Sequence, residues 1–177
     1  MLNNVKILVV FIGCLLFRLL PLRAPNLEPI MASVMPISRK YALFTTFIFA
    51  SSSMVIYDFI TGYVGLWTWI TAVTYGLVGV GAYFFFKVKK GTVFNYVVFS
   101  FVATIMFDIV TGVMFAPVFG VSIFDALMLQ IPFTLIHLVG NIGFAVTVSP
   151  LINKWFASSE LFSFKKKYSS ALSGQNI

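Results

Sequence analysis

Five stretches of this chain, residues 5–20, 41–60, 66–86, 93–115 and 124–149, are continuously apolar or nearly so. As helices rising about 1.5 Å per residue, each is long enough, or nearly so, to cross about 30 Å of hydrocarbon. That feature removes most folds from consideration. In lipid every backbone N–H and C=O must be satisfied within the chain, which leaves helices and closed barrels. Barrel strands run about ten residues and alternate in polarity, and these stretches do not alternate. Composition agrees, with 60% hydrophobic residues and only 10% charged, against about 25% charged in a soluble domain. The expected fold is an all-α integral membrane protein. We read a compact bundle of six transmembrane helices over residues 1–153, at about 5–22, 26–37, 41–60, 66–86, 93–115 and 124–149.

Two segments need argument. Residues 7–17 follow Lys6 as a signal peptide's apolar core would, but Arg18 ends the run and no small-x-small cleavage site follows. They are read as a first span. "PNLEPIMASVMPI", residues 25–37, is short and bracketed by Pro25, Pro29 and Pro36. It reads either as a short second helix or as a re-entrant element packed inside the bundle, and the six-helix count takes the first option.

Basic residues set the orientation. Arg39 and Lys40 precede one run, Lys87, Lys89 and Lys90 follow another, and Lys154, Lys165, Lys166 and Lys167 follow the last. The connections around 61–66 and 115–123 contain no Lys or Arg. The positive-inside rule places residues 38–40, 87–91 and a basic tail at 154–177 in the cytoplasm, with the bundle in the cell membrane. If residues 26–37 span, the N-terminus is cytoplasmic too, as the six-helix reading takes it, and if they do not, it lies outside. Arg18 and Arg23 are then exceptions at the outer face. The net charge of +7 thus follows topology, not a nucleic-acid-binding face. Cys14, the sole cysteine, excludes an intramolecular disulfide and reads as a helix-packing residue.

The topology gathers the unusual polar residues at the outer end. Asp58-x-x-Thr61-Gly62 in "MVIYDFITG" recurs as Asp108-x-x-Thr111-Gly112 in "TIMFDIVTG". Glycine suits a left-handed helix cap, but a carboxylate in a last turn opposes the helix dipole. Something must favour it: a cation such as Arg18 or Arg23, hydrogen-bond donors, or a ligand. In the last helix Gln130, Thr134, His137 and Asn141 are spaced 4, 3 and 4, which puts them on one face. Polar residues in a spanning helix face the protein interior, so the stripe is either a ligand-binding wall or a hydrogen-bonded seam. Gly140 and Gly143 beside it suit close packing. Glu28 opens the second element. Tyr57, Tyr63, Trp67 and Trp69 form either an interfacial belt or a stacking surface for a flat ligand. Asp125 reads as the cap of the last helix, and residues 115–120 as an apolar loop over a cavity.

Signatures of chemistry are missing. The sequence has no P-loop, no H-E-x-x-H and no G-x-S-x-G, so neither an enzyme nor a resident cofactor or metal is expected.

From about residue 24 to 153 the chain resembles the substrate-binding S components of energy-coupling factor (ECF) vitamin transporters. The resemblance rests on "APNLEPIMASVMPISRKYALF", on "SSSMVIYDFITGYVGLWTWITAVTYGLVGVGAYFF", and on "FDIVTGVMFAPVFG" followed by "QIPFTLIHLVGNIGFAVTVSPLI". It implies capture of a vitamin or similar micronutrient in an outward-facing cavity. Partners would be a membrane coupling subunit and a pair of cytoplasmic ATPases. The first helix departs from the pattern: Gly13 and Cys14 are its only small residues, where many S components carry Ala-x-x-x-Ala. The substrate-binding residues expected on all these grounds are Asp58, Asp108, Gln130, Thr134, His137, Asn141, Glu28 and Trp67. The competing reading is a membrane scaffold or assembly protein without a small-molecule ligand.

Overall fold

A computed structural model of the protein describes residues 2–21 and 27–173, with side chains described for 4–21 and 27–158. Every element among the described residues is helical. The six α-helices are α1 (Leu2–Arg18), α2 (Ile30–Lys40), α3 (Leu43–Thr61), α4 (Leu66–Val88), α5 (Val93–Asp108) and α6 (Ile123–Ser173). A π-helical turn, Ile109–Met114, extends α5, and a 3₁₀ turn follows at Ala116–Phe119.

Four helices are long and apolar enough to cross a membrane. These are α3, α4, α5 with its extension to Phe119, and α6 as far as Ser158, with mean hydropathies between 1.5 and 2.1. They mark the chain as a membrane protein. Its surface fits that solvent: Phe94 and Val139 are about three-quarters exposed, at 75% and 76%. Polarity lies inside. Thr46, Ser53, Thr68, Ser100, Thr104 and Ser149 are fully buried. Three of these hydroxyls donate to a carbonyl three or four residues earlier: Thr46 to Ala42 at 3.2 Å, Ser53 to Ala50 at 2.6 Å and Thr104 to Ser100 at 2.7 Å. Each is thereby satisfied within its own helix.

The second helix departs most from expectation. It begins at Ile30, not near 26, and its 11 residues amount to about 16 Å, half the hydrocarbon thickness. Every residue from Ile30 to Ser38 is buried, and α2 touches all the other α-helices. It is the core around which the long helices stand. Polar contacts fix it: Ser149 of α6 donates to the Ala32 carbonyl at 2.7 Å, and Cys14 of α1 lies 3.2 Å from the Ser33 hydroxyl. Cys14 therefore packs as a small residue.

The last helix also differs. The sequence ends it near 149, but it continues through Ser173, past Pro150 and into the basic tail. An interior proline removes one i→i−4 hydrogen bond and crowds the carbonyl a turn earlier, which is why the sequence suggests an end there. At the start of α6, Ser122 is the cap in place of Asp125. Its hydroxyl accepts from the Asp125 N–H at 3.1 Å and donates to the Asp125 carboxylate at 2.6 Å. Asp125, at the third helical position, thus supports the cap through a side-chain hydrogen bond and adds a negative charge to the first turn, where the dipole favours it.

Helices α3 and α4 run side by side at close range because α4 carries glycine at the contact. A Cβ on Gly76 would strike Phe47 and Ser51, and one on Gly79 would lie 3.0 Å from the Thr46 carbonyl oxygen. Gly143, expected at a packing seam, instead has nothing within 4 Å of its Cβ position. Gly79→Leu should therefore destabilise the bundle by about 1–3 kcal/mol through overpacking, read as a fall in thermal midpoint in detergent. Gly143→Leu should leave the midpoint within experimental error.

Candidate functional site

The chain alternates in direction, so the ends of the bundle differ in charge. Glu28, Asp58, Asp108 and Asp125 lie toward one end, Arg39, Lys40 and Lys87–Lys90 toward the other. At the acidic end is a cavity of about 300 Å³. It is walled by Arg18 of α1, Glu28 before α2, Met54 and Asp58 of α3, and Trp67 and Thr71 of α4. Phe107, Thr111 and Gly112 of α5 and its π turn, with Gln130, Phe133 and His137 of α6, complete the wall.

Arg18 is the cation of the site, and its partner is Glu28. Its Nε lies 3.0 Å from the Glu28 carboxylate, and both side chains are about nine-tenths buried. Its guanidinium sits 4.0 Å over the Tyr57 ring and also donates to the Met54 sulfur at 3.0 Å. The ion pair that Arg18 makes among the described residues is thus with Glu28, and the aspartates find donors elsewhere. Arg23 lies outside the described residues.

Asp58 is favoured by a hydrogen-bond donor. The Thr68 hydroxyl donates to its carboxylate at 2.6 Å, while the same oxygen accepts from the Gly65 N–H at 3.1 Å. Asp58 ends α3, where the dipole opposes it, but it is tied to the first turn of α4, where the dipole favours it. Gly62 takes the left-handed cap conformation expected of it, with φ 77°.

The second copy of the motif is built differently. Thr111 donates to the Phe107 carbonyl at 2.8 Å, as Thr61 does to Tyr57 at 2.9 Å, so the threonines match. The glycines do not. Gly112 lies within the π turn, not at a left-handed cap, and it is small because the Gln130 amide rests where a Cβ would be. π turns recur at functional sites. Asp108, 1% exposed, does not line the cavity. Its Oδ1 accepts from His137 Nδ1 at 2.8 Å, so it stands one layer behind the wall. With Nδ1 committed to a carboxylate, His137 presents Nε2 as its remaining polar atom. Phe107 and Phe133 meet the imidazole with centroids 6.0 and 5.9 Å away.

The α6 stripe divides. Gln130 and His137 reach the cavity. Thr134 does not, and accepts from the Gln130 amide at 3.3 Å. Asn141 donates to Thr104 of α5 at 2.9 Å and is sealed in the helix seam. Of Tyr57, Tyr63, Trp67 and Trp69, it is Trp67 that lines the cavity. Its ring meets Phe119 of the 3₁₀ segment edge-on at 5.8 Å, and residues 115–120 are not themselves among the lining residues. Tyr63 is 81% exposed and Trp69 also faces outward, in keeping with an interfacial belt. The sequence reading did not single out Met54, Thr71, Phe107 or Phe133 as lining residues. Thr111, the threonine of the second motif, lines the cavity as well.

Helices and site together define a membrane protein with a small, charged, internal cavity. Among the described residues no group of three His, Cys, Asp or Glu is arranged to hold a metal ion. No family model, curated protein or solved structure matches the chain.

Removing one member of a buried ion pair strands the other and costs about 3–5 kcal/mol. Glu28→Ala should lower the thermal midpoint accordingly. The double variant Arg18→Met/Glu28→Met should recover most of the loss, because no unpaired charge remains.

Proposed function

We propose that this chain is the substrate-binding S component of an ECF-type transporter, capturing a vitamin or similar micronutrient for ATP-driven uptake by partner subunits. The observation that carries the reading is the cavity itself. An apolar bundle in lipid gains nothing from a pocket walled by Arg18, Glu28, Asp58, Gln130 and His137 unless a polar ligand enters it. The residues quoted for the resemblance supply the particular family. In this reading six crossings, with α2 the short one, leave both termini in the cytoplasm and open the cavity outward from the cell membrane. A coupling subunit and an ATPase pair supply the energy, since the chain has no nucleotide-binding motif of its own.

The charges around the cavity favour one ligand class. Asp58 and Asp108 exceed what Arg18, already matched by Glu28, can neutralise. A cationic or donor-rich nitrogen heterocycle would restore balance, with Trp67 and Phe133 against its flat faces and His137 Nε2 and Gln130 on its polar edge. The volume of about 300 Å³ sits at the small end of ligand sites.

A thermal-shift screen of the detergent-purified protein against vitamins tests this. A ligand present at a hundred times its Kd stabilises the folded state by about 2.7 kcal/mol. A blank screen across the common vitamins would instead favour a scaffold role. With the ligand found, Asp108→Asn should weaken its binding about tenfold or more while the ligand-free midpoint stays near wild type. It keeps the shape behind His137 and loses the charge that holds the ring. Unchanged affinity would remove Asp108 from the site. Gly112→Ala should act from the other side, pushing the Gln130 side chain away from the π turn. Affinity should fall while stability changes by less than about 1 kcal/mol, since a flexible side-chain end gives way.

A further inference from the structure

The basic end of the bundle holds a second recess, of about 340 Å³, lined by Pro36, Arg39, Lys40, Asn153, Phe156 and Ala157. We propose that it binds the phosphate of an anionic lipid headgroup.

Arg39 and Lys40 close α2, where the helix dipole favours cations. That accounts for their sign but not for the way Arg39 is held. Its Nη1 donates to Asn153 Oδ1 at 2.7 Å. The guanidinium also lies against Gly91, in the turn between α4 and α5, and a Cβ at 91 would collide with it and with the Tyr96 hydroxyl. Arg39 is thus fixed from two sides by uncharged groups. Among the described residues no carboxylate pairs with it. Lys40 reaches the Phe156 carbonyl at 3.4 Å, which brings a second cation to the same wall.

A planar guanidinium with one arm anchored and its charge unmatched is preorganised for the two oxygens of a phosphate. The rest of the lining selects the source. Pro36, Phe156 and Ala157 are apolar, and Leu151, two residues before Asn153 on α6, is exposed. Free phosphate would use only the cationic half of the recess. A phospholipid would use both, its headgroup on Arg39 and its acyl chains along α6. Basic recesses between helices on the inner side of a membrane recognise anionic headgroups in this manner.

The test uses the full chain in uncharged detergent. Thermal unfolding and native mass spectrometry are followed with added phosphatidylglycerol, phosphatidylcholine or inorganic phosphate. Phosphatidylglycerol should raise the midpoint and remain bound as one molecule per chain, and the other two should not. A response to inorganic phosphate equal to that for phosphatidylglycerol would overturn the lipid assignment, and an equal response to phosphatidylcholine would overturn headgroup recognition. Arg39→Gln should weaken phosphatidylglycerol binding about fivefold. Lys87→Gln, at the same end but outside the recess, should leave it unchanged. Equal losses in the two variants would show diffuse attraction to the surface and overturn the site. Asn153→Ala keeps the charge and releases the anchored arm, so it reads the same site should Arg39→Gln fail to fold. Binding should fall, and undiminished binding would overturn the proposal.

Discussion

Arg18 and Glu28 hold the end of α1 against the segment leading into α2, and the cavity depends on that contact. A guanidinium inside an apolar bundle is tolerable only with a counter-charge and further acceptors. Glu28, the Tyr57 ring and the Met54 sulfur supply them. Arg18 pairs with Glu28, and the two aspartates find donors elsewhere. Asp58 takes a hydroxyl from α4 and Asp108 a ring nitrogen from α6. Each of these three pairs joins two different elements, and the six elements so matched enclose a space instead of closing on one another.

The same economy explains α2. Too short to reach across a membrane alone, it is surrounded by longer helices that present small residues, hydroxyls and sulfur to it. Its two ends carry the two kinds of charge in the molecule, with Glu28 just before it and Arg39 and Lys40 at its close. One buried helix therefore links the acidic cavity to the basic recess through a continuous packed core.

Much of the fold was legible because solvent dictated it. Helices in lipid need long apolar runs, and the runs at 41–60, 66–86 and 93–115 lie close to α3, α4 and extended α5. The wall of the cavity was legible in part. Intramembrane polar residues stand out against an apolar background, and Glu28, Asp58, Trp67, Gln130 and His137 do line it. The apolar lining was not legible, because Met54, Phe107 and Phe133 differ in no local way from residues that face lipid. Nor was the layering. Helical spacing put Gln130, Thr134, His137 and Asn141 on one face, but only the neighbouring helix decides which of these meet a cavity and which meet Thr104.

By itself, then, the sequence determined helices, their approximate limits, and a charge separated between two ends, because each follows from local polarity and chain direction. Tertiary structure decided the rest. It buried α2 from Ile30 to Ser38, and it carried α6 past Pro150. It also gave two nearly identical motifs different tasks. Asp58-x-x-Thr61-Gly62 ends a helix at a left-handed glycine, so its carboxylate meets the start of the next helix. Asp108-x-x-Thr111-Gly112 passes into a π turn, so its glycine receives Gln130 and its carboxylate retreats behind His137. The local residues are nearly the same in both, and what differs is the helix that packs against them.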